Sequence, residues 1–161
     1  MPIARPTIRP FRPADGEALA ALHRAAILAT RGTTYTPVEL ESWAGHLTAA
    51  GYSARIQDGE IIEVATDDRG IPIAFCGRHE DSIVSLYVHP GWQGHGLGGL
   101  LLSRAEAAIA GHGYERVTVK ASITAVPFYQ EHGYRLLQRV PHKTRGGLTL
   151  AAAELEKSIA I

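Results

Sequence analysis

The sequence has a single cysteine, Cys76, which excludes an internal disulfide and any cysteine-based zinc site. It has no charge excess, since 16 Lys and Arg cancel 16 Asp and Glu. Phosphate contacts need a surplus of cations on some face, so this balance argues against a nucleic-acid partner. It argues equally against a polybasic membrane-surface protein and a disordered acidic chain. No run approaches the roughly 18 to 20 apolar residues of a membrane span. Met1 to Gly16 carries four Pro and three Arg and no apolar stretch long enough for a signal peptide, so a soluble cytoplasmic protein is expected. Repeats, low-complexity segments and Ser/Gly/Pro linkers are also missing. At 161 residues the chain reads as one domain, 1–161. Its eight histidines show no ligand spacing such as His-Glu-x-x-His, which predicts no metal.

What is present is a succession of short strands around one glycine-rich stretch. Thr7 to Arg12 reads as an edge strand, because Pro10 removes a ladder donor. Asp15 marks a helix start, after which Leu19, Leu22, Ala26 and Ala29 keep helical spacing until Gly32. Thr36-Pro37-Val38-Glu39 has the capping-box pattern and predicts a helix to about Ala50, before Gly51. Glu60 to Thr66 and Ile71 to Gly77 flank turn residues and predict a hairpin, with Ile83 to Val88 a third strand. A helix follows the glycines to about Ala110. Then come a strand at Arg116 to Lys120, a short helix at Thr124 to His132, a strand at Tyr134 to Val140, and a last strand at Leu148 to Ala152. The order implies a mixed α/β sheet, antiparallel at first and parallel at the crossover.

The stretch His89 to Gly99 joins a buried strand to an apolar helix. Glycines there admit a ligand close to the backbone, and the helix's free N–H groups and dipole favour phosphate. A P-loop needs Gly-Lys-Ser/Thr at the helix start, and here Gly96 precedes Leu97 and Gly98, so that reading fails. Gly94, Gly96 and Gly99 satisfy G-x-G-x-x-G, the dinucleotide fingerprint. Five residues separate Val88 from Gly94, however, and Lys120, Ala121 and Ser122 stand where an acidic residue belongs. An NADP-binding domain is the alternative this leaves.

Gln93-x-x-Gly96-x-Gly98, with Ser85 to Pro90 before it, resembles the acetyl-CoA signature of the GCN5-related N-acetyltransferase (GNAT) superfamily. Ala125-Val126-Pro127-Phe128-Tyr129, running on to Gly133-Tyr134, is similar to the family's second segment about thirty residues later. Tyr35 to Trp43 also looks like a segment of uncharacterised bacterial members. The resemblance implies a single, mostly antiparallel twisted sheet of six or seven strands flanked by about four helices. It implies acetyl-CoA as cosubstrate, with the amides of Leu86, Tyr87 and Val88 on the pantetheine and acetyl carbonyl. Gln93, Gly94, His95, Gly96, Leu97, Gly98 and Gly99 would cradle the pyrophosphate, and Phe128 and Ser122 would border the cofactor. Ser122 stands where the family often has Asn, and its hydroxyl keeps one hydrogen bond available. Ser82 stands where some members carry a glutamate base.

Acetyl transfer to an amine needs a neutral amine, a stabilised oxyanion and a proton for the leaving thiolate. The resemblance implies that Tyr129 supplies that proton. A phenol with pKa near 10 is protonated at neutral pH, and a thiol near 8.5 leaves better with a donor in place. His79, Asp81, Glu63 or a water chain are open as the base. Tyr35 and Trp43, expected on the first two helices, are candidates for the acceptor pocket, although Trp43 keeps helical spacing with Leu40 and Leu47 and also suits a core role. Cys76, mid-strand with no activating neighbour, reads as a buried, inert thiol, which predicts direct transfer. The amine acceptor, small molecule or peptide, is open, as is a homodimer. A non-catalytic acyl-CoA-binding or sensing domain is the competing function.

Overall fold

The computed structural model describes residues 5–159. Met1 to Ala4, part of the segment read above for a leader, and Ala160 and Ile161 lie outside them. The elements run β1 (Thr7–Pro10), α1 (Gly16–Leu28), α2 (Pro37–Ala44), α3 (Ala49–Gln57), β2 (Ile61–Thr66), β3 (Pro72–His79), β4 (Ser82–Val88), α4 (Leu97–Gly111), β5 (Arg116–Ser122), α5 (Val126–Glu131), β6 (Arg135–Lys143) and β7 (Thr149–Ser158). The strands form one sheet in the order β1-β2-β3-β4-β5-β7-β6, antiparallel except for β4 with β5. Period-two alternation divides the core between the faces. Val64 and Phe75 pack against Leu19, Leu22 and Tyr52 of α1 and α3. Ala65, Ala74 and Cys76 meet Leu101, Ala105 and Ile109 of α4 on the other face.

Three expectations need correction. The helix predicted from Thr36 to Ala50 is two helices. Its capping box is present, with Thr36 Oγ1 accepting from the Glu39 amide at 3.1 Å and the Thr36 amide donating to the Glu39 carboxylate at 2.9 Å. The helix stops at Ala44, where Gly45 turns extended and His46 takes φ of 62°. Thr48 then caps α3 by accepting from the Gly51 amide at 3.2 Å, so Gly51 opens a helix instead of ending one. The split raises the helix count from about four to five. The last strand spans ten residues, not five. Ala151-Ala152-Ala153-Glu154-Leu155 is rich in helix formers, and pairing with β5 on one side and β6 on the other overrides that local preference.

One irregularity positions everything that follows. Gly77 faces Ser85 and Arg78 faces Ile83, which leaves Val84 unmatched as a bulge in β4. A bulge bends its strand and increases local twist. β4 and β5 pair only at Ser82 with Thr118 and at Ile83 with Val119. Beyond Ile83 the strands part, and β5 continues alone with β7 to Ser122.

Candidate active site

The splay leaves one edge of β4 open. The His89 amide donates to the Ile73 carbonyl at 2.8 Å, which fixes the phase of the antiparallel ladder with β3. In that phase Tyr87 exchanges its main-chain bonds with Phe75, while the main-chain groups of Leu86 and Val88 face the gap. Tyr87 therefore departs from the expectation: its amide is committed to β3, and its ring lines a side-chain cavity. Gln93 closes the end of the strand, its side-chain amide donating to the Val88 carbonyl at 3.3 Å.

The six residues Gly94 to Gly99 divide into two roles. Gly94 and Gly96 take φ of 82° and 81°, and a Cβ at either would meet nothing within 4 Å, so the loop forms an open concavity. Gly96 begins α4 in the left-handed conformation, and no side chain caps the helix. The first backbone bond of α4 runs from the Leu100 amide to the Gly96 carbonyl, so the amides of Leu97, Gly98 and Gly99 have no intrahelical acceptor. A pyrophosphate fits this cradle of free donors at the positive end of a helix. Gly98 and Gly99 also let α5 approach. A Cβ on Gly98 would lie 3.3 Å from the Phe128 ring, and one on Gly99 would lie 2.9 Å from His132 Nε2. Phe128 thus packs on the α4 N-terminus, which ties the two sequence motifs together. The Leu97 side chain is buried in the core, and His95 is exposed beside the Trp92 ring. Ser122 ends β5 with its hydroxyl 3.1 Å from that of Thr124.

Tyr129 lies on the inner side of α5, packed edge-on against Phe128 and Tyr134. It is 5% exposed, and burial pushes its phenol well above the ordinary range. Its hydroxyl has no protein partner among the described residues, yet no buried side-chain polar atom among them is both unpaired and sealed from solvent. The hydroxyl therefore keeps an opening. Cys76 is 3% exposed, and burial pushes its thiol up to about 12, which leaves it protonated and inert.

On the opposite face the splay opens into a cavity of about 650 Å³ between α1, α2, β5 and the β6–β7 hairpin. Tyr35 and Trp43 line it. Tyr35 precedes α2 instead of lying on a helix, and its hydroxyl ties the walls together, donating to the Ala151 carbonyl at 2.6 Å and accepting from the Ile123 amide at 2.8 Å. Trp43 is half-buried at the cavity wall, not in the core. The hairpin turn closes the far side. Thr144 and Ser42 hydroxyls lie 2.6 Å apart, the Gly146 amide donates to the Ser42 carbonyl, and Arg145 donates to the carbonyls of Gly45 and Trp43. These bonds satisfy the free carbonyl end of α2.

None of the three side chains considered as a base lies in that cavity. Glu63 pairs with Arg104 at 2.8 Å on the far side of the sheet; His79 ends β3 and Asp81 lies in the turn that follows. Besides Tyr35 and Tyr87, the titratable groups that line it are His23, His142 and Glu154, with Arg55, Lys120 and Arg145. His23 lies 2.9 Å from the Tyr52 hydroxyl through Nδ1 and stacks on Tyr87 with ring centroids 4.0 Å apart. Burial drives its pKa down to about 3, so it is neutral. Burial also lowers His142, with Lys120 and Arg145 adding to the effect. Sequence patterning held no signal for this wall, because His23, Tyr87, His142 and Arg145 meet only through tertiary packing. Among the described residues no cluster of three metal-ligating side chains occurs, and no helix is long and apolar enough to cross a membrane.

Comparison with known proteins agrees with this architecture. Over 142 residues the chain is 25% identical to an uncharacterized N-acetyltransferase, YafP, of Escherichia coli, covering 86% of this chain and 87% of that one. A crystal structure of a GCN5-related N-acetyltransferase from Rhodopseudomonas palustris superposes with a TM-score of 0.89 at 30% identity, covering 99% of both chains. The PaiA N-acetyltransferase of Thermoplasma acidophilum, crystallised with coenzyme A, shares the fold at a TM-score of 0.75 and 20% identity, over 96% of this chain and 99% of that one. Residues 32–156 match the acetyltransferase (GNAT) domain model, and the chain belongs to the GNAT acetyltransferase family, as an acyltransferase on the mixed seven-stranded sheet that the two motifs had implied.

Proposed function

We propose that this enzyme transfers an acetyl group from acetyl-CoA directly to a primary amine, with acetyl-CoA lying in the splay between β4 and β5. The observation that carries the reading is the parting of those strands after Ile83, beside an uncapped helix start with an open glycine loop. The free amides of Leu86 and Val88 hold the pantetheine and polarise the thioester carbonyl. Those of Gly94 to Gly99 take the pyrophosphate, whose charge they meet without desolvating a side chain. The amine enters from the cavity on the α1–α2 side and attacks the carbonyl carbon. Its proton leaves through cavity water, since His23 at a pKa of about 3 is too weak a base to keep one. As the C–S bond breaks, Tyr129 donates its proton to the sulfur. Burial keeps the phenol protonated at neutral pH, so the proton is present when the thiolate forms. The cytoplasm, where acetyl-CoA is available, is the compartment this reading implies.

The test is thiol release from acetyl-CoA against a panel of amines, read with the intact mass of products and protein. Acetylated amine with no adduct on Cys76 supports direct transfer. An acetyl adduct on the protein that an amine then discharges contradicts it. Tight CoA binding with no turnover of any amine points instead to an acyl-CoA-binding domain.

A further inference from the structure

Resting on that reading, the cavity's unbalanced charge identifies what the amine carries. Three cations line it, and only one carboxylate, Glu154, does so. Arg55 is already neutralised from behind the wall, where Glu60 accepts from it at 3.0 and 2.7 Å. Arg145 and Lys120 differ. Among the described residues neither has a carboxylate within 4 Å. Arg145 spends Nε and Nη2 on the uncharged carbonyls of Gly45 and Trp43, which fixes the guanidinium plane and leaves Nη1 without an acceptor among the described residues. The guanidinium is thus held in one orientation on the cavity wall, with donors left over for a ligand.

We propose that Arg145 binds a carboxylate on the acceptor, so that the substrate is a free amino acid and not a peptide N-terminus or a polyamine. A single carboxylate offsets the excess charge, and a planar guanidinium matches its two oxygens. Tyr87 and Trp43 supply flat apolar walls beside this anchor, suited to a side chain of moderate size. Glu154 faces Lys120 across the β5–β7 register and accepts from Gln138 at 2.9 Å. That places the cavity's one negative group beside Lys120 on the strands, and not on the turn that carries Arg145.

The experiment compares free α-, β- and γ-amino acids with their carboxamides, which keep size and remove only the charge. Thiol release is measured for the wild type and for Arg145→Gln, alongside calorimetric titration of CoA. The expected result is at least one amino acid with kcat/KM tenfold or more above its carboxamide. In Arg145→Gln that preference disappears through KM, the acid slowing far more than its carboxamide, while CoA affinity is unchanged. Equal or better turnover of carboxamides, peptides or polyamines overturns the proposal and leaves acetyl transfer standing. So does an Arg145→Gln variant that slows acid and carboxamide alike and melts earlier, since that is the signature of a helix cap alone. Failure of the wild type to bind CoA removes the acetyl-transfer reading itself.

Discussion

The wall assigned to acetyl-CoA comes from one stretch of chain, residues 86–99, and offers mainly backbone. The wall assigned to the acceptor comes from side chains on α1, α3, the segment around α2, and the β6–β7 hairpin. The first wall depends on glycine conformation and on a strand edge freed by a bulge, and both suit a ligand part that never varies. The second depends on which side chains tertiary packing brings together, and those can change without disturbing the sheet. A fold that keeps cofactor recognition in the main chain leaves the side chains of the other wall free to specify the substrate.

The sharpest way to break this division is at Tyr129. Replacing Tyr129 by Phe keeps the ring's packing against Phe128 and Tyr134 and removes only the hydroxyl. The expected loss is about 10²-fold or more in kcat, with CoA affinity unchanged, because a general acid acts only as the sulfur leaves. Turnover within about threefold of wild type, where chemistry is rate-limiting, removes the phenol from the mechanism.

The backbone wall is tested by crowding its open concavity. Gly96→Trp is expected to weaken CoA binding at least tenfold by calorimetry. It also carries backbone strain of about 1–2 kcal/mol, since Gly96 has positive φ. Gly70 in the β2–β3 turn has a similar φ of 79° and equally open surroundings, so Gly70→Trp supplies the same strain away from the site. Equal CoA affinity in the two variants contradicts the cradle.

The side-chain wall has a pH signature of its own. His23 is held neutral down to about pH 3 in the fold, whereas an exposed histidine titrates near 6.5. Between those values the unfolded chain binds more protons than the folded one, so stability falls as pH drops from about 6.5 towards 3. By pH 4 the loss from this residue is up to roughly 3 kcal/mol. His23→Gln, which still offers a partner to the Tyr52 hydroxyl, flattens the pH dependence of the unfolding midpoint in urea. A profile unchanged by that substitution removes His23 as its cause.

The same contrast explains what was legible in the residues alone. The glycine loop and the Phe128-Tyr129 segment carry local constraints, positive φ and close helix approach, and these leave a mark at fixed spacing. The capping box at Thr36 was legible for the same reason. The end of α2 was not, because its carbonyls are satisfied by Arg145 and Gly146, about a hundred residues away. The bulge at Val84 was hidden as well, since nothing in Ile83-Val84-Ser85 departs from an ordinary buried strand. With no sign of the splay in the residues, the central strands offer Glu63, His79 and Asp81 as bases, and all three lie outside the cavity. The long β7 was concealed by helix-forming residues whose partners lie on two other strands.

The claim that a bare strand edge and helix start receive acetyl-CoA is tested most directly by amide hydrogen exchange with and without CoA. The account predicts slowed exchange across residues 86–99, centred on Leu86, Val88 and the amides of Gly94 to Gly99, with the hairpin turn at residues 144–148 unchanged until an amine is added. Unaltered exchange across 86–99 at saturating CoA would contradict it.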